Sequence, residues 1–393
     1  MSASSGPVFS SSSRSLAHRI KRWLCGDAPR PITVGVDLLL MQPGGANGGV
    51  KPLVFSFLGE IGRAQGRRLK FVFFASPELA PEIAPILRSH DELAHPTSIP
   101  PAIDVLYAVF GRSNLSRTGL PSINLIVDLL HKDLPAALPV EEVNYRHEWF
   151  STIAAQATFF QCISHYTAER LQYHYHIPAE RCFVTHIPVH QRLRPDHVVK
   201  AESSPVAKPF FFYPANFWPH KNHEVLLLAY RGYVALSKSA AWPLVFTGHP
   251  DERTVQLRLL VSQLGLNDRV HFLGHLSTPQ FAALWSQAGA LVYPSRHEGF
   301  GIPLLEAMAY RCPIIAARTT SIPEIAGDAC LYVDPSDTAS ISSALQQVSA
   351  DAQLRTALVR AGKIRLRTFS LARETAKLAA HFISAASAAP LRP

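Results

Sequence analysis

Two glutamates with seven residues between them, Glu298 and Glu306, bracket the run Gly299-Phe300-Gly301-Ile302-Pro303. Gly299 and Gly301 let the backbone turn sharply and approach a ligand, because no Cβ stands in the way. Pro303 suits the first turn of a helix, where its missing amide would have no partner. The spacing therefore predicts a strand-end loop opening a helix at about residue 303. Free amides around Gly301–Leu304, with the positive end of the helix dipole, make an anion site there. Glu298 stands before that site and Glu306 one turn inside the helix. Two acceptors flanking an anion pocket suit a ligand with hydroxyls on both sides of a phosphate group, such as a nucleotide sugar. Lys221, in YPANFWPHKNHEVLL (213–227), falls at a second loop-to-helix junction, where an ammonium would neutralise a departing diphosphate.

Other segments carry weaker signals. LVFTGHP (244–250) and HFLGHLS (271–277) end in glycine turns that would let a nucleotide lie at the carboxyl edge of a parallel sheet. QPGGANGGV (42–50), with Gly45 and Gly48, sits between a strand and a helix and could turn amides toward a diphosphate. It is not a Walker loop, since Lys51 comes one place late and Pro52 stands where Ser or Thr is needed. Nor is it a dinucleotide fingerprint, with Ala46 in the second glycine's place. His186 and His190 are helically spaced, but Pro188 spoils the shared face, so no metal site is expected. No Asp-x-Asp pair is present for a metal-held diphosphate.

In this order the segments resemble the retaining glycosyltransferases of the GT-B fold, most closely glycosyltransferase family four (glycosyl transferases group 1). The family's signature is this glutamate pair around a Gly-Phe-Gly-type loop, and SIPEIAGDACLYVDPSD (321–337) continues in its manner. The resemblance spans roughly residues 32–370 and is strongest over 210–337. It implies that Glu298 holds the donor sugar hydroxyls and Glu306 the ribose, with the main chain of Gly299, Phe300, Gly301 and Ile302 facing sugar and diphosphate. The arginine common before the lysine is replaced by Ala215-Asn216, so the diphosphate would rely on Lys221, Asn216, the helix amides and Arg296. The base would lie near Gly274 to Leu276, and the loop bearing Gly45 and Gly48 would line the cleft opposite. In VDLLHKDLP (127–135) the family's His-Asp reads Val127-Asp128, leaving His131 as the acceptor-side histidine. In the front-face mechanism favoured for such enzymes the departing phosphate takes the acceptor proton, so no carboxylate nucleophile, metal or other cofactor is called for. Members with PANFWPHKN-like text transfer mannose or rhamnose in assembling bacterial O-antigen, capsule or exopolysaccharide. That implies a GDP-sugar donor, with uridine and thymidine donors left open, and an oligosaccharide or lipid-linked acceptor. Two competing readings share the fold or the ligand. A nucleotide-sugar 2-epimerase is not expected to carry the glutamate pair. A non-catalytic nucleotide-sugar-binding partner is not expected to keep Glu298, Lys221 and Glu306 together.

These residues need a scaffold. From Pro31 onward, β-rich runs such as PITVGVDLLL, KFVFFAS, IDVLYAV, INLIVDLL and TFFQCIS alternate with helical stretches. After the polar stretch 195–209 the rhythm restarts with PFFFYPA, PLVFTG, RVHFLG, ALVYPS, CPIIAA and CLYVDP. Short apolar runs between helices indicate parallel sheets covered on both faces. The expected fold class is α/β: GT-B, two facing Rossmann-like doubly wound domains with the active site in the interdomain cleft. The expected organisation is a disordered, basic segment 1–29, an acceptor domain 30–200, a nucleotide-sugar domain 208–370, and a last helix 371–386 docking back on the first domain. Within the first segment, residues 14–24 carry Leu16, Ile20, Trp23 and Leu24 as an apolar side, read as a cap on the first domain or a peripheral inner-membrane contact.

Composition sets the outer limits. The 393 residues are 47% apolar, enough for a conventional core, and no apolar run is long enough to span a bilayer. The net charge of +9 is spread evenly, which suits anionic small molecules better than nucleic acid. No apolar h-region follows the basic residues near the start, so a secretory leader is not expected. The five cysteines show no C-x-x-C spacing and fit free thiols in a cytoplasmic protein.

Overall fold

The computed structural model describes residues 30–44, 48–94, 102–117, 119–188, 206–207 and 209–387. The basic segment 1–29, Gly45, His190 and most of the stretch 195–209 lie outside the described residues. Two parallel sheets carry the chain. The first holds β1 (Ile32–Asp37), β2 (Leu69–Phe74), β3 (Glu92–Ala94), β4 (Val105–Ala108), β5 (Ser122–Ile126), β6 (Phe159–Cys162) and β7 (Cys182–Val184), ordered β3-β2-β1-β4-β5-β6-β7. The second holds β8 (Phe211–Pro214), β9 (Leu244–Thr247), β10 (Val270–Phe272), β11 (Ala290–Tyr293), β12 (Ile314–Ala317) and β13 (Cys330–Val333), ordered β10-β9-β8-β11-β12-β13. Central strands such as LVFT and IIAA are buried at every position, as strands covered on both faces must be. The two Rossmann-like sheets expected from the alternation are therefore present.

The helices that matter for the site are α1 (Val50–Gln65), α2 (Val140–Gln156), α3 (His165–Tyr175), α4 (His223–Ser237), α5 (Ile302–Ala309) and α6 (Leu371–Ser387). In each sheet the winding direction reverses beside the first strand, between β1 and β4 and between β8 and β11. A crevice opens outside the carboxyl ends of strands at such a reversal. The loops after β8 and β11 carry Lys221 and Glu298, so the second sheet's reversal presents both. The edge strands β3 (ELA) and β7 (CFV), three residues each, are not among the strands expected from the sequence.

Helix α6 packs on α1 and on β1, β4, β5 and β6 of the first sheet. Its Phe382 meets the rings of Tyr107 and Phe71 edge-on, at 5.4 and 6.4 Å between centroids. Cys162, Cys182, Cys312 and Cys330 are free thiols. Among the described residues no helix is long and apolar enough to cross a membrane.

Candidate active site

The chemistry of the second half centres on an ion pair. Lys221 Nζ lies 2.6 Å from Glu298 Oε1, with the side chains only 12% and 9% exposed. Both loops are braced beneath it. Tyr213 donates its hydroxyl to the Lys221 carbonyl at 2.7 Å, and the Arg296 amide donates to the His220 carbonyl at 2.8 Å. Asn222 takes a left-handed conformation (φ 65°), and its amide nitrogen donates to Pro294 O at 3.1 Å and Pro335 O at 2.7 Å. Thr320 Oγ1 accepts the Glu298 amide at 3.1 Å, and Ser321 Oγ donates to the Glu298 carbonyl at 2.9 Å. Burial alone would raise the Glu298 carboxyl, but the Lys221 ammonium and the Tyr293 hydroxyl outweigh it and hold the group below its ordinary value. An ionised carboxylate only accepts hydrogen bonds, so its remaining capacity suits hydroxyl donors.

Gly301 begins α5 at φ 92° and ψ 59°, a conformation costly for any residue with a Cβ. Pro303 sits in the first turn of that helix, and Glu306 is 3% exposed one turn further on. The Phe300 ring does not face the cleft as a ligand-side residue would. It packs at 2% exposure near the rings of His186 and Phe369, leaving only its main chain for a ligand. Asn216 is exposed beside the end of β8, its side-chain oxygen accepting the His249 amide at 3.0 Å. Gly274 has φ 69°, and its carbonyl accepts the Gly248 amide at 3.1 Å, so the ends of β9 and β10 lie together, with Leu276 packed on the core. The Arg296 side chain is exposed at the rim.

The first sheet comes up against this site directly. A Cβ on Gly299 would lie 1.7 Å from the Val127 carbonyl oxygen, and one on Gly49 would lie 2.3 Å from Ile302 Cδ1. The close approach that Gly299 permits is thus to the opposing backbone. Gly48, exposed at φ 52°, belongs to the loop that meets Ile302. Lys51, the misplaced Walker-type lysine, anchors that loop instead, donating to Gly44 O at 2.6 Å and Glu82 Oε2 at 2.8 Å.

His131 corrects an expectation. It is 1% exposed, with Nε2 2.8 Å from the Tyr175 hydroxyl and its ring 4.7 Å from that of Phe150. Burial, and then Arg146, push its pKa down to about 4. A neutral, enclosed imidazole of this kind supports α2 and α3 and does not line an acceptor surface. A cavity of about 260 Å³ opens nearby at the carboxyl end of the first sheet, lined in part by Val127 and Asp128. Val50, Phe110 and Trp149 form apolar walls, and Arg112, Arg146 and Asp128 supply charge. Arg146 is shared between Glu142 at 2.7 Å and Asp128 at 3.3 Å. The Arg112 guanidinium lies over the Tyr145 ring at 5.1 Å.

Several residues had no sequence signal. His297, beside Glu298, reaches Asp133 Oδ2 at 3.1 Å, and Ser164 Oγ reaches Gly299 O at 2.7 Å. Both contacts join segments more than 130 positions apart, and no local pattern announces such pairs. His186 meets His165 and Glu324, ligand types that suit a transition metal. Both Glu324 oxygens, however, already accept the His165 and Tyr166 amides, at 2.8 and 3.0 Å, and His186 Nε2 lies at 2.7 Å.

Comparison with known proteins accords with this geometry. Residues 197–365 match the family described as Glycosyl transferases group 1. The O-antigen chain mannosyltransferase B of Escherichia coli is 27% identical over 245 residues, covering 60% of this chain and 63% of that one. The O-antigen chain mannosyltransferase RfbU of Salmonella typhimurium is 31% identical over 174 residues, 44% of this chain and 46% of that one. The matched stretches thus span about half to two thirds of these relatives. The structure of Anabaena Alr3699/HepE in complex with UDP and glucose superposes with a TM-score of 0.64 at 18% identity, over 90% of this chain and all of that one. Paired Rossmann-like sheets, a basic and an acidic group at the second sheet's reversal, and these likenesses lead to one assignment: the chain has the GT-B fold, and its residues 197–365 match the glycosyl transferases group 1 family.

Proposed function

We propose that the protein is a retaining hexosyltransferase that moves mannose from a GDP-sugar to a hydroxyl of a glycan or lipid-linked acceptor during bacterial surface polysaccharide assembly. The observation that carries this reading is the buried Lys221–Glu298 pair at the second sheet's reversal, in the loops that precede α4 and α5. The mannosyl assignment draws on the O-antigen mannosyltransferases among the relatives. The Lys221 ammonium has three donors and gives one to Glu298, so others remain for a leaving diphosphate. The amides at the head of α5 add positive potential at the same place. Departure of the diphosphate is the costly event, and charge preorganised toward it lowers the barrier most. Glu298, ionised and acceptor-only, orients the sugar by its hydroxyls and stabilises positive charge growing at the anomeric carbon. No protein nucleophile and no bound metal enters this scheme.

Thermal shift against a panel of GDP-, UDP- and dTDP-sugars tests the donor, since a ligand at 100 times its Kd stabilises by about 2.7 kcal/mol. GDP-mannose should give the largest shift. Turnover that appears only when a glycan acceptor is added separates transfer from epimerisation. A panel without any shift would overturn the donor site.

A further inference from the structure

Glu298 is held from its own half by Lys221, Thr320 and Ser321, yet both of its neighbours in sequence are held from the other half. Before it, the His297 side chain is 4% exposed, with Nε2 3.1 Å from Asp133 Oδ2. After it, the Gly299 carbonyl accepts Ser164 Oγ at 2.7 Å and Thr167 Oγ1 at 3.3 Å. Asp133 is itself fixed by Tyr166 OH at 2.8 Å, Arg170 Nε at 2.6 Å and His174 Nε2 at 2.8 Å, all from α3. Ser164 is the N-cap of that helix, accepting the Thr167 amide at 3.0 Å. The head of α3 is also tied to the second half, through the Glu324 carboxylate on the His165 and Tyr166 amides. Helix α3, directly through Ser164 and Thr167 and indirectly through the Asp133 that it holds, therefore grips the donor loop on either side of its acidic residue.

We infer that Asp133 and Ser164 are positioning residues for the transfer step, fixing the two residues that flank Glu298 so that its carboxylate is aligned only when the halves are closed. The inference rests on the donor-site reading above. Nothing in this grip touches Lys221 or the head of α5, so a nucleotide can bind the second half without it. Alignment is a separate demand, because a displacement of about 1 Å at a reacting centre costs on the order of 100-fold in rate. Closure would then make catalysis conditional on both halves, as in induced fit.

Asp133 is a poor place for a test, since its loss would leave Arg170 and His174 without their acceptor. His297→Ala removes the grip while Asp133 keeps its other three partners, and His297→Gln retains an amide that can still donate to Asp133. Ser164→Ala also uncaps α3, so it is used only in combination with His297→Ala. The whole 393-residue chain is compared by calorimetry with GDP, by GDP release from GDP-mannose in the presence of the glycan acceptor, and by small-angle scattering without ligand. The double variant should bind GDP within about 3-fold of wild type, release GDP at least about 30-fold more slowly at saturation, and show a larger radius of gyration. His297→Gln should recover most of the rate lost in His297→Ala. An unchanged rate, or a GDP affinity that falls as far as the rate, overturns the inference. Should wild type neither bind GDP nor turn over GDP-mannose, the donor reading fails. The scattering comparison then decides the grip alone, and an unchanged radius in the double variant sinks it.

Discussion

A carboxylate and an ammonium 2.6 Å apart and nearly out of water are held at the cost of their hydration, so each is needed by the other. Lys221→Ala would leave Glu298 buried without its cation, a change worth about 3–5 kcal/mol when a buried pair is broken. Calorimetry should show that it weakens GDP much more than guanosine, because the lost contact is to the diphosphate; equal losses would refute that role. Glu298→Gln keeps the shape and removes the charge. Turnover should fall by about 100-fold or more while GDP affinity stays within a few-fold, since the loss is felt as charge develops. His223 presents the opposite case. It is 1% exposed and stacked 4.7 Å from Tyr213, and among the described residues neither ring nitrogen has a hydrogen-bond partner. Burial, followed by Lys221 and Arg253, lowers its pKa to about 3. The unfolded chain takes up a proton near pH 6.5 and the folded one does not, so this group's contribution is lost as pH falls from about 6.5 towards the folded value. His223→Phe should therefore gain stability over wild type, and gain more at pH 5 than at pH 7, in urea unfolding at the two pH values. A constant gain would mean that the histidine is not held neutral.

Loops after strands, more than the strands themselves, determine where these groups stand. Gly301 shows how narrow the tolerance is: at φ 92°, with Leu304 Cδ1 3.0 Å from where a Cβ would be, alanine is strained by conformation and by contact. Gly301→Ala should cost about 1–3 kcal/mol and shift the head of α5, lowering the midpoint in urea together with GDP affinity. A variant with wild-type affinity and midpoint would place the glycine outside the anion site. The same loop explains what could be read from sequence. Gly299, Gly301, Pro303 and the flanking glutamates state a strand-loop-helix corner in about nine residues, because turn chemistry and helix entry are local. The alternation of apolar runs gave both sheets for the same reason, missing only β3 and β7, three residues each. What stayed hidden is non-local. His131 sits in a segment that reads like a polar loop, yet Phe150 and Tyr175 close over it from α2 and α3. The partners of His297 and Gly299 lie 164 and 135 positions away.

At the scale of the molecule, the two sheets do not divide the chain simply in half. The chain leaves the first sheet after β7, builds the second from β8 to β13, and returns as α6 to cover β1, β4, β5 and β6. Covering a sheet face with the far end of the chain couples the ends and leaves the segment before α6 as one of the connections across the cleft. The seam also carries histidine–carboxylate contacts, His297 with Asp133 and His186 with Glu324, alongside the plain packing of Gly49 on Ile302. Phe382 is the group through which α6 acts most directly, fully buried between Phe71 and Tyr107. Removing its ring leaves a cavity that neighbouring strands cannot collapse to fill, and Phe→Ala changes in such positions cost about 3–5 kcal/mol. Phe382→Ala should accordingly raise amide hydrogen exchange in β1 and β4 and loosen α6, while the strands of the second sheet and GDP affinity change little. Exchange rising equally in β8 and β11 would mean that the two sheets unfold as one cooperative unit, and that the last helix supports the donor site as much as the surface it covers.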